Sequence, residues 1–343
     1  MKKNFWAIGF TAALLAFSAY LMLDTFVLRT SYSSAGEANT ALFAELTAGS
    51  EENSAQPSNG SLVLRSHRSD KSNASRSRGK SDSNASNNGD KAETGADSAS
   101  TFAQTEEMDY QDENISITLT EYVQNDTSIY AADVELSSAY YLKTAFANDT
   151  YGKNVTETTS SMAQDKDAIL AINGDYYGVQ EKGYVIRNGV VYRNTAKGAD
   201  VLCIFADGTM DIVSDREFTA EELVDCGVWQ AFSFGPALIE NGTISVSVNE
   251  EVGRAMASNP RTAIGLIDTN HFVFVVSDGR TDESEGLSLY ELAAFLQSLG
   301  VKTAYNLDGG GSSTMVFHGQ LVNNPTAGGS IKERGVSDIV YIG

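Results

Sequence analysis

From residue 115 to residue 136 the chain alternates apolar and polar side chains in two runs, Ile115-Ser-Ile-Thr-Leu-Thr-Glu-Tyr-Val123 and Ser128-Ile-Tyr-Ala-Ala-Asp-Val-Glu-Leu136. A polar turn at residues 124–127 separates them. A period of two puts every apolar group on one face of an extended chain, whereas a helix would scatter them round its surface. The two runs therefore predict an antiparallel hairpin with one buried face. The same pattern returns at Val185-Ile-Arg-Asn-Gly-Val-Val-Tyr192, where Asn188-Gly189 is the dipeptide that best accepts a tight hairpin turn. It returns again where residues 201–205 and 210–213 flank Asp207-Gly208. Further strands are predicted over residues 168–172, 229–234, 237–239, 244–248, 262–267, 271–276, 303–307, 314–317 and 336–342. Helices are expected at residues 155–166 and 219–225, and most clearly at 288–300, where Ser288 and Glu291 have the spacing of a capping box and Gly300 ends the run. Strands outnumber helices about three to one and several adjoin through tight turns. This predicts an α+β domain with a strand-rich, antiparallel or mixed sheet core and a few flanking helices, and no repeat or doubly wound pattern.

The alternation stops upstream of residue 110. Residues 47–107 are Ser, Asn, Asp, Gly and Ala with almost no large apolar side chains, too few to offset the entropy of ordering. Before them, Lys2 and Lys3 precede an apolar run over residues 5–23, whose nineteen residues reach about 28 Å as a helix, near the hydrocarbon thickness of a bilayer. The division expected is a membrane anchor over residues 1–30 with a cytoplasmic N-terminus, a disordered linker over 31–110, and one domain over 111–343 outside the membrane. A cleaved signal peptide is the alternative, and it too exports the domain. Net charge is −21, and residues 111–343 hold 14 Lys and Arg against 32 Asp and Glu. That acidity excludes a general nucleic-acid binder. Cys203 and Cys226 are too few for a disulfide framework or a four-cysteine zinc site, and a single bridge or two free thiols both stay open.

Three glycine-bearing turns follow apolar strands: Asn173-Gly174-Asp175, Ser277-Asp278-Gly279-Arg280, and Asn306-Leu307-Asp308-Gly309-Gly310-Gly311-Ser312-Ser313. In the last, backbone without Cβ atoms lets N–H groups turn toward an anion, and Ser312 and Ser313 add hydroxyls. Neither a Walker A motif nor a dinucleotide fingerprint is present, because no Gly-Lys-Ser/Thr follows and Thr314-Met-Val-Phe reads as strand. Arg261, one of seven arginines after residue 110, opens a strand after Asn259-Pro260 and suits recognition of a phosphate or carboxylate. Arg187 beside its turn is a weaker candidate. His271 and His318 have no ligand spacing between them. The candidate catalytic carboxylates are Asp175, Asp278 and Asp308. No cofactor is called for, and a divalent cation at Asp278 and Asp308 has no supporting motif.

Six blocks occur in one order: Asn173-Gly174-Asp175-Tyr176-Tyr177, Phe234-Gly235-Pro236-Ala237-Leu238, Asn259-Pro260-Arg261-Thr262-Ala263-Ile264-Gly265, Ser277-Asp278-Gly279-Arg280, Gly286-Leu287-Ser288, and Asn306 through Met315. So ordered, they resemble the phosphodiester glycosidase family over residues 168–343. Asn323-Asn324-Pro325 and Glu333-Arg334-Gly335-Val336 depart from the family's Asn-Arg-Pro and Glu-Arg-Pro-Val. The resemblance implies hydrolysis of a sugar-1-phosphodiester at the C1–O bond, with a glycan or polysaccharide of the cell surface as substrate. Asn173, Gly174, Arg261, Asn306, Gly309, Gly310, Gly311, Ser312 and Ser313 would then hold substrate and phosphate. Asp308 or Asp175 would hold a sugar hydroxyl, stabilise C1 or activate water. Two other readings stay open: a sugar-phosphate-binding module without catalysis, and a phosphodiesterase that cuts the P–O bond.

Overall fold

The computed structural model describes residues 103–249 and 258–343, together with Ser18 and the pair Thr30–Ser31. The apolar run over residues 5–23 and most of the linker lie outside the described residues. Among the described residues no helix is long and apolar enough to cross a membrane.

In chain order the strands are β1 (Ala103–Gln111), β2 (Ile115–Gln124), β3 (Thr127–Leu136), β4 (Leu142–Phe146), β5 (Leu170–Asn173), β6 (Val185–Arg187), β7 (Val190–Arg193), β8 (Asp200–Phe205), β9 (Met210–Ser214), β10 (Val228–Phe232), β11 (Ala237–Glu240), β12 (Thr243–Ile244), β13 (Arg261–Asp268), β14 (His271–Ser277), β15 (Thr303–Asn306), β16 (Met315–Phe317), β17 (Gln320–Leu321) and β18 (Asp338–Ile342). The α-helices are α1 (Thr159–Asp165), α2 (Ala220–Asp225) and α3 (Leu289–Ser298). An eight-stranded sheet runs β12-β11-β15-β13-β14-β3-β2-β1, and two five-stranded sheets run β9-β8-β10-β6-β7 and β17-β16-β5-β18-β4. The pairings between these strands are antiparallel. Two further two-stranded pieces join Thr30–Ser31 to Gly152–Lys153 and Thr326–Ala327 to Ser330–Ile331.

One face of the large sheet meets both smaller sheets. Ile117, Leu119, Phe272, Phe274 and Tyr305 pack there against Leu170, Ile204, Phe232 and Val340. The other face, through Ala263, Val273 and Val275, is covered by Leu289, Leu292, Phe295 and Leu296 of α3. Both faces of β14 are thus dry, which is why residues 272–276 are continuously apolar instead of alternating. Helices α1 and α2 cap the outer faces of the two smaller sheets.

The hairpins expected from the sequence form. β2 and β3 pair from Ile115↔Leu136 to Gln124↔Thr127, and Asn125 and Asp126 both take positive φ, 51° and 49°. Asn188 and Gly189 do the same between β6 and β7. Both α2 and α3 carry complete capping boxes, Thr219 with Glu222 and Ser288 with Glu291.

Three local expectations change. The first helix starts at Thr159, because the Thr158 side chain accepts the Ser161 N–H and caps it there. The strand expected over residues 244–248 shrinks to Thr243–Ile244, and Val246 turns into the core instead. The eight-stranded sheet gains β1 from residues assigned to the linker. Its sequence has no apolar alternation because this edge forms through backbone pairing to β2, with Glu107, Met108 and Asp109 exposed. Cys203 is buried, Cys226 is exposed, and both are free thiols.

Candidate active site

The glycine-bearing turns all lie at strand ends, and those ends meet where the three sheets adjoin. Asn173 ends β5, Arg187 ends β6, Ser277 ends β14 and Asn306 ends β15, while Arg261 begins β13 and Asp338 begins β18. Pairings Ala263↔Asn306, Arg261↔Ser277 and Ile339↔Asn173 fix their relative heights. Asn173 is the tie between the sheets. Its Oδ1 accepts from Thr262 Oγ1 at 2.8 Å and from the Thr314 amide at 3.2 Å, and its Nδ2 donates to the Asp308 carbonyl at 2.6 Å. A buried amide with both ends engaged holds its neighbours firmly.

Beneath this tie lies a charged triad. Arg187, only 2% exposed, donates through Nη2 to Asp175 Oδ1 at 2.8 Å and through Nε to Asp338 Oδ2 at 2.9 Å. It also donates to the Ala231 carbonyl, and its Cζ lies 4.2 Å from the centre of the Phe232 ring. Asp175 Oδ2 accepts the Ser233 amide at 2.9 Å, so both of its oxygens are satisfied. Asp338 is different. Its Oδ1 is buried without a hydrogen bond of normal geometry. Desolvation, helped by the neighbouring Asp175 charge, pushes its carboxyl up to about 7 against the pull of Arg187 and the weaker pull of the Asp175 amide. Gly174 is what lets that carboxylate in, since a Cβ there would lie 2.3 Å from Asp338 Oδ1.

Asp308 stands across a cavity of about 30 Å³ whose walls include Gly174, Asp308, Ser312, Arg334 and Asp338. Such a space holds about one water molecule. Asp308 Oδ2 accepts from Arg334 Nη2 at 3.0 Å and from Ser312 Oγ at 2.5 Å, and Arg334 also donates to Ser312 Oγ. Burial raises the Asp308 carboxyl and Arg334 opposes that shift. Two carboxyl groups of raised affinity for protons thus share one small cavity with a guanidinium and a hydroxyl. That is the equipment of acid–base chemistry beside an anion.

The remaining sequence candidates are placed as follows. Arg261 is 3% exposed, and its Nε donates to the Leu287 carbonyl at 2.7 Å, so it holds the α3 entry and does not line the cavity. The amides of Gly310, Ser312 and Ser313 already donate, to Pro260, Gly309 and Gly310 carbonyls, and residues 310–312 form one 3-10 turn. Those three N–H groups are therefore not turned toward a bound anion. Ser313 is fully buried against Thr262 Oγ1, and Asn306 donates to the Gly235 carbonyl. Gly309 and Gly311 serve close approach: a Cβ at Gly309 would lie 2.9 Å from the Pro260 carbonyl, and one at Gly311 3.3 Å from that of Thr326. Asp278 is turned away from the cavity. It accepts from Asn323 Nδ2 and from the Asn324 amide and side chain, with the Tyr130 hydroxyl beside it. A cation shared by Asp278 and Asp308 is therefore not built here. His271 pairs with the exposed Asp133 at the opposite end of β14 from Ser277. His318 packs on Tyr110 and Phe317.

Sequence reasoning missed Asp338 and Arg334 as site residues and undervalued Arg187. Asp338 opens an ordinary-looking strand, and Arg334 sits in the Glu333-Arg334-Gly335-Val336 segment that departs from the family pattern, which kept it out of the candidates. A charged residue heading an otherwise apolar strand was the available signal for Asp338.

The arrangement is a strand-rich scaffold with a two-carboxylate, one-arginine pocket at converging strand ends, and the chain belongs to the phosphodiester glycosidase family, whose model matches residues 166–343. Among proteins it is similar to, human N-acetylglucosamine-1-phosphodiester alpha-N-acetylglucosaminidase is 40% identical over 193 residues, 49% of this chain and 36% of the human one. The SPbeta prophage-derived uncharacterized protein YomE of Bacillus subtilis is 31% identical over 198 residues, 56% of this chain and 30% of its own. The chain thus spans about a third of the length of these relatives. Its fold is also that of the zebrafish N-acetylglucosamine-1-phosphodiester alpha-N-acetylglucosaminidase catalytic domain, solved as auto-inhibited by pro-peptide. That match has a TM-score of 0.53 and 22% identity, and covers 66% of this chain and 82% of the zebrafish one.

Proposed function

We propose that this protein hydrolyses sugar-1-phosphodiesters at the C1–O bond, releasing a free sugar and a phosphate monoester from a cell-surface or extracellular glycan. The observation that carries the reading is the shared cavity of Asp308, Ser312, Arg334 and Asp338. Cleavage at C1 builds positive character on the sugar and negative charge on the departing phosphate. Arg334 and Ser312 meet that growing charge, and a donor present before the reaction stabilises it without reorganisation. Asp308, held against both, fixes their direction and faces the sugar's developing positive charge. Asp338 has an oxygen without a normal hydrogen bond and a carboxyl pushed up to about 7. Sealed from solvent, Asp338 cannot itself meet water; Asp308, whose carboxyl burial also raises and which opens onto the cavity, is the base that takes a proton from the attacking water. Arg187 and Asp175 hold Asp338 in place from below.

The same proposal places residues 5–23 as an anchor with a cytoplasmic N-terminus, the linker as a tether and the domain outside. Its support is the length of the apolar run and the lysines before it. Hydrolysis of an N-acetylglucosamine-1-phosphodiester in ¹⁸O-labelled water tests the chemistry. Label belongs in the released sugar and not in the phosphate monoester. Label in the phosphate means P–O cleavage, and binding with no released sugar means a module that holds sugar phosphate without cutting it.

A further inference from the structure

The cavity at Asp308 is far too small for a sugar ring, so a ring has to be held elsewhere. On the other side of the segment that carries Tyr176 and Val179 to that cavity lies a cleft of about 450 Å³, within the range of small-ligand pockets. Its walls include Tyr151, Lys153, Tyr177, Glu181, Tyr192 and Arg193. Gly178 lines it as well, and a Cβ there would meet Ser337 Oγ at 2.3 Å. Ser337 lines the Asp308 cavity, so the two spaces are separated by a single wall.

The aromatic walls hold one another rigid. The Tyr151 and Tyr177 rings stack at 5.2 Å and 15°. Phe146 packs on Tyr151, Tyr177 and Tyr192 at 5.5, 5.3 and 4.7 Å. Tyr192 completes the group at 5.2 Å from Tyr151. Tyr177 is only 2% exposed and backs the wall, so the ring surface open to the cleft is that of Tyr151 and Tyr192, half-buried and held still by Tyr177 and Phe146. Rings fixed in this way give an apolar face with a polar rim at little entropic cost on binding. A pyranose presents the matching surface, with C–H groups on its faces and hydroxyls round its edge.

The cations of the cleft have partners of their own. Arg193 is committed through Nε to the Gly183 carbonyl and through Nη1 to the carbonyls of Tyr177 and Gln180. Lys153 lies 3.7 Å from Glu181, whose side chain is 83% exposed.

We propose that the cleft walled by Tyr151, Tyr177 and Tyr192 is a subsite for an uncharged pyranose ring of the glycan whose phosphodiester meets the Asp308 cavity. Its ligand class rests on the hydrolase reading above, and its test does not. Ligand-observed saturation-transfer NMR on the full chain, with N-acetylglucosamine and glucose as separate probes, reads binding directly. The wild type and Asp308→Asn are expected to bind at least one of the two sugars at millimolar concentration, with contact through the ring protons. Tyr192→Ala should weaken that binding about tenfold, and Tyr192→Phe should keep it. Tyr192→Leu keeps apolar bulk without an aromatic face and should weaken it too, so the outcome does not depend on how Tyr192→Ala folds. Binding indifferent to both Tyr192→Ala and Tyr192→Leu, displacement of the sugar by inorganic phosphate, or no binding of either sugar to the wild type overturns the subsite. Sugar binding that depends on Tyr192 in a protein that hydrolyses no phosphodiester would remove the hydrolase reading and leave the subsite standing.

Discussion

Replacing Arg187 with methionine removes the cation that bridges Asp175 and Asp338 while keeping a side chain of similar length. The three side chains are 2%, 3% and 1% exposed, so water cannot take over. Breaking a buried ion pair from one side costs about 3–5 kcal/mol, because a charge is left buried without a partner. For a domain of this size about 2–4 °C accompanies each kcal/mol, so a fall in Tm of roughly 6–20 °C is expected at pH 8. The loss must depend on pH, and its sign follows from Asp338. Even with Arg187 present, its folded carboxyl lies at about 7, well above the 3.9 of an unfolded aspartate. A group raised in the folded state stabilises fully below about pH 4, and that contribution fades as pH rises through the folded value. Without Arg187 the folded value climbs further, so the gap between variant and wild type should widen from pH 5 to pH 8. Scanning calorimetry at both pH values measures it, and Asp338→Asn added to Arg187→Met should recover part of the loss at pH 8. A deficit under about 1 kcal/mol, or one of equal size at both pH values, would refute the idea that Arg187 stabilises by neutralising buried carboxylates.

Arg334→Ala should cut kcat/KM by about 10²–10³, the usual effect of removing one donor to a developing anion. Its side chain is 43% exposed, so stability should change by less than about 1 kcal/mol; kinetics beside a melting curve separates the two. Gly174→Ala should cost about 1–3 kcal/mol, because its Cβ would lie 2.3 Å from Asp338 Oδ1, and should abolish turnover; an active variant of wild-type Tm would show that Asp338 has room to move. Asp278→Asn keeps an oxygen for the Asn323 side chain and the Asn324 amide but turns an NH₂ toward the Asn324 Nδ2 donor, and should lower stability by about 1–3 kcal/mol; a large loss of kcat with an unchanged melting curve would restore Asp278 to the chemistry.

The sequence alone determined the β2–β3 hairpin, through the alternation in residues 115–136, and it determined the turns, because Asn125-Asp126 and Asn188-Gly189 tolerate positive φ where larger side chains do not. It also fixed the starts of α2 and α3, since a capping box is a contact between residues three apart. Such features are local and need no knowledge of the rest of the chain. The edge strand β1 was not legible, because an exposed edge needs a partner strand and no hydrophobic pattern. In the site, Asp308, Ser312 and Gly174 were visible as turn residues at strand ends. The pairing of Asp338 with Arg187 was not, because 151 residues separate them in the chain and only the meeting of two sheets makes them neighbours. Tertiary structure also decided which residues of the glycine loop face inward. Ser313, Arg261 and Asp278 are chemically suited to a phosphate or a sugar, yet they spend their hydrogen bonds inside the fold. Residue type sets what a side chain is able to do, and desolvation and long-range pairing set which of them do it.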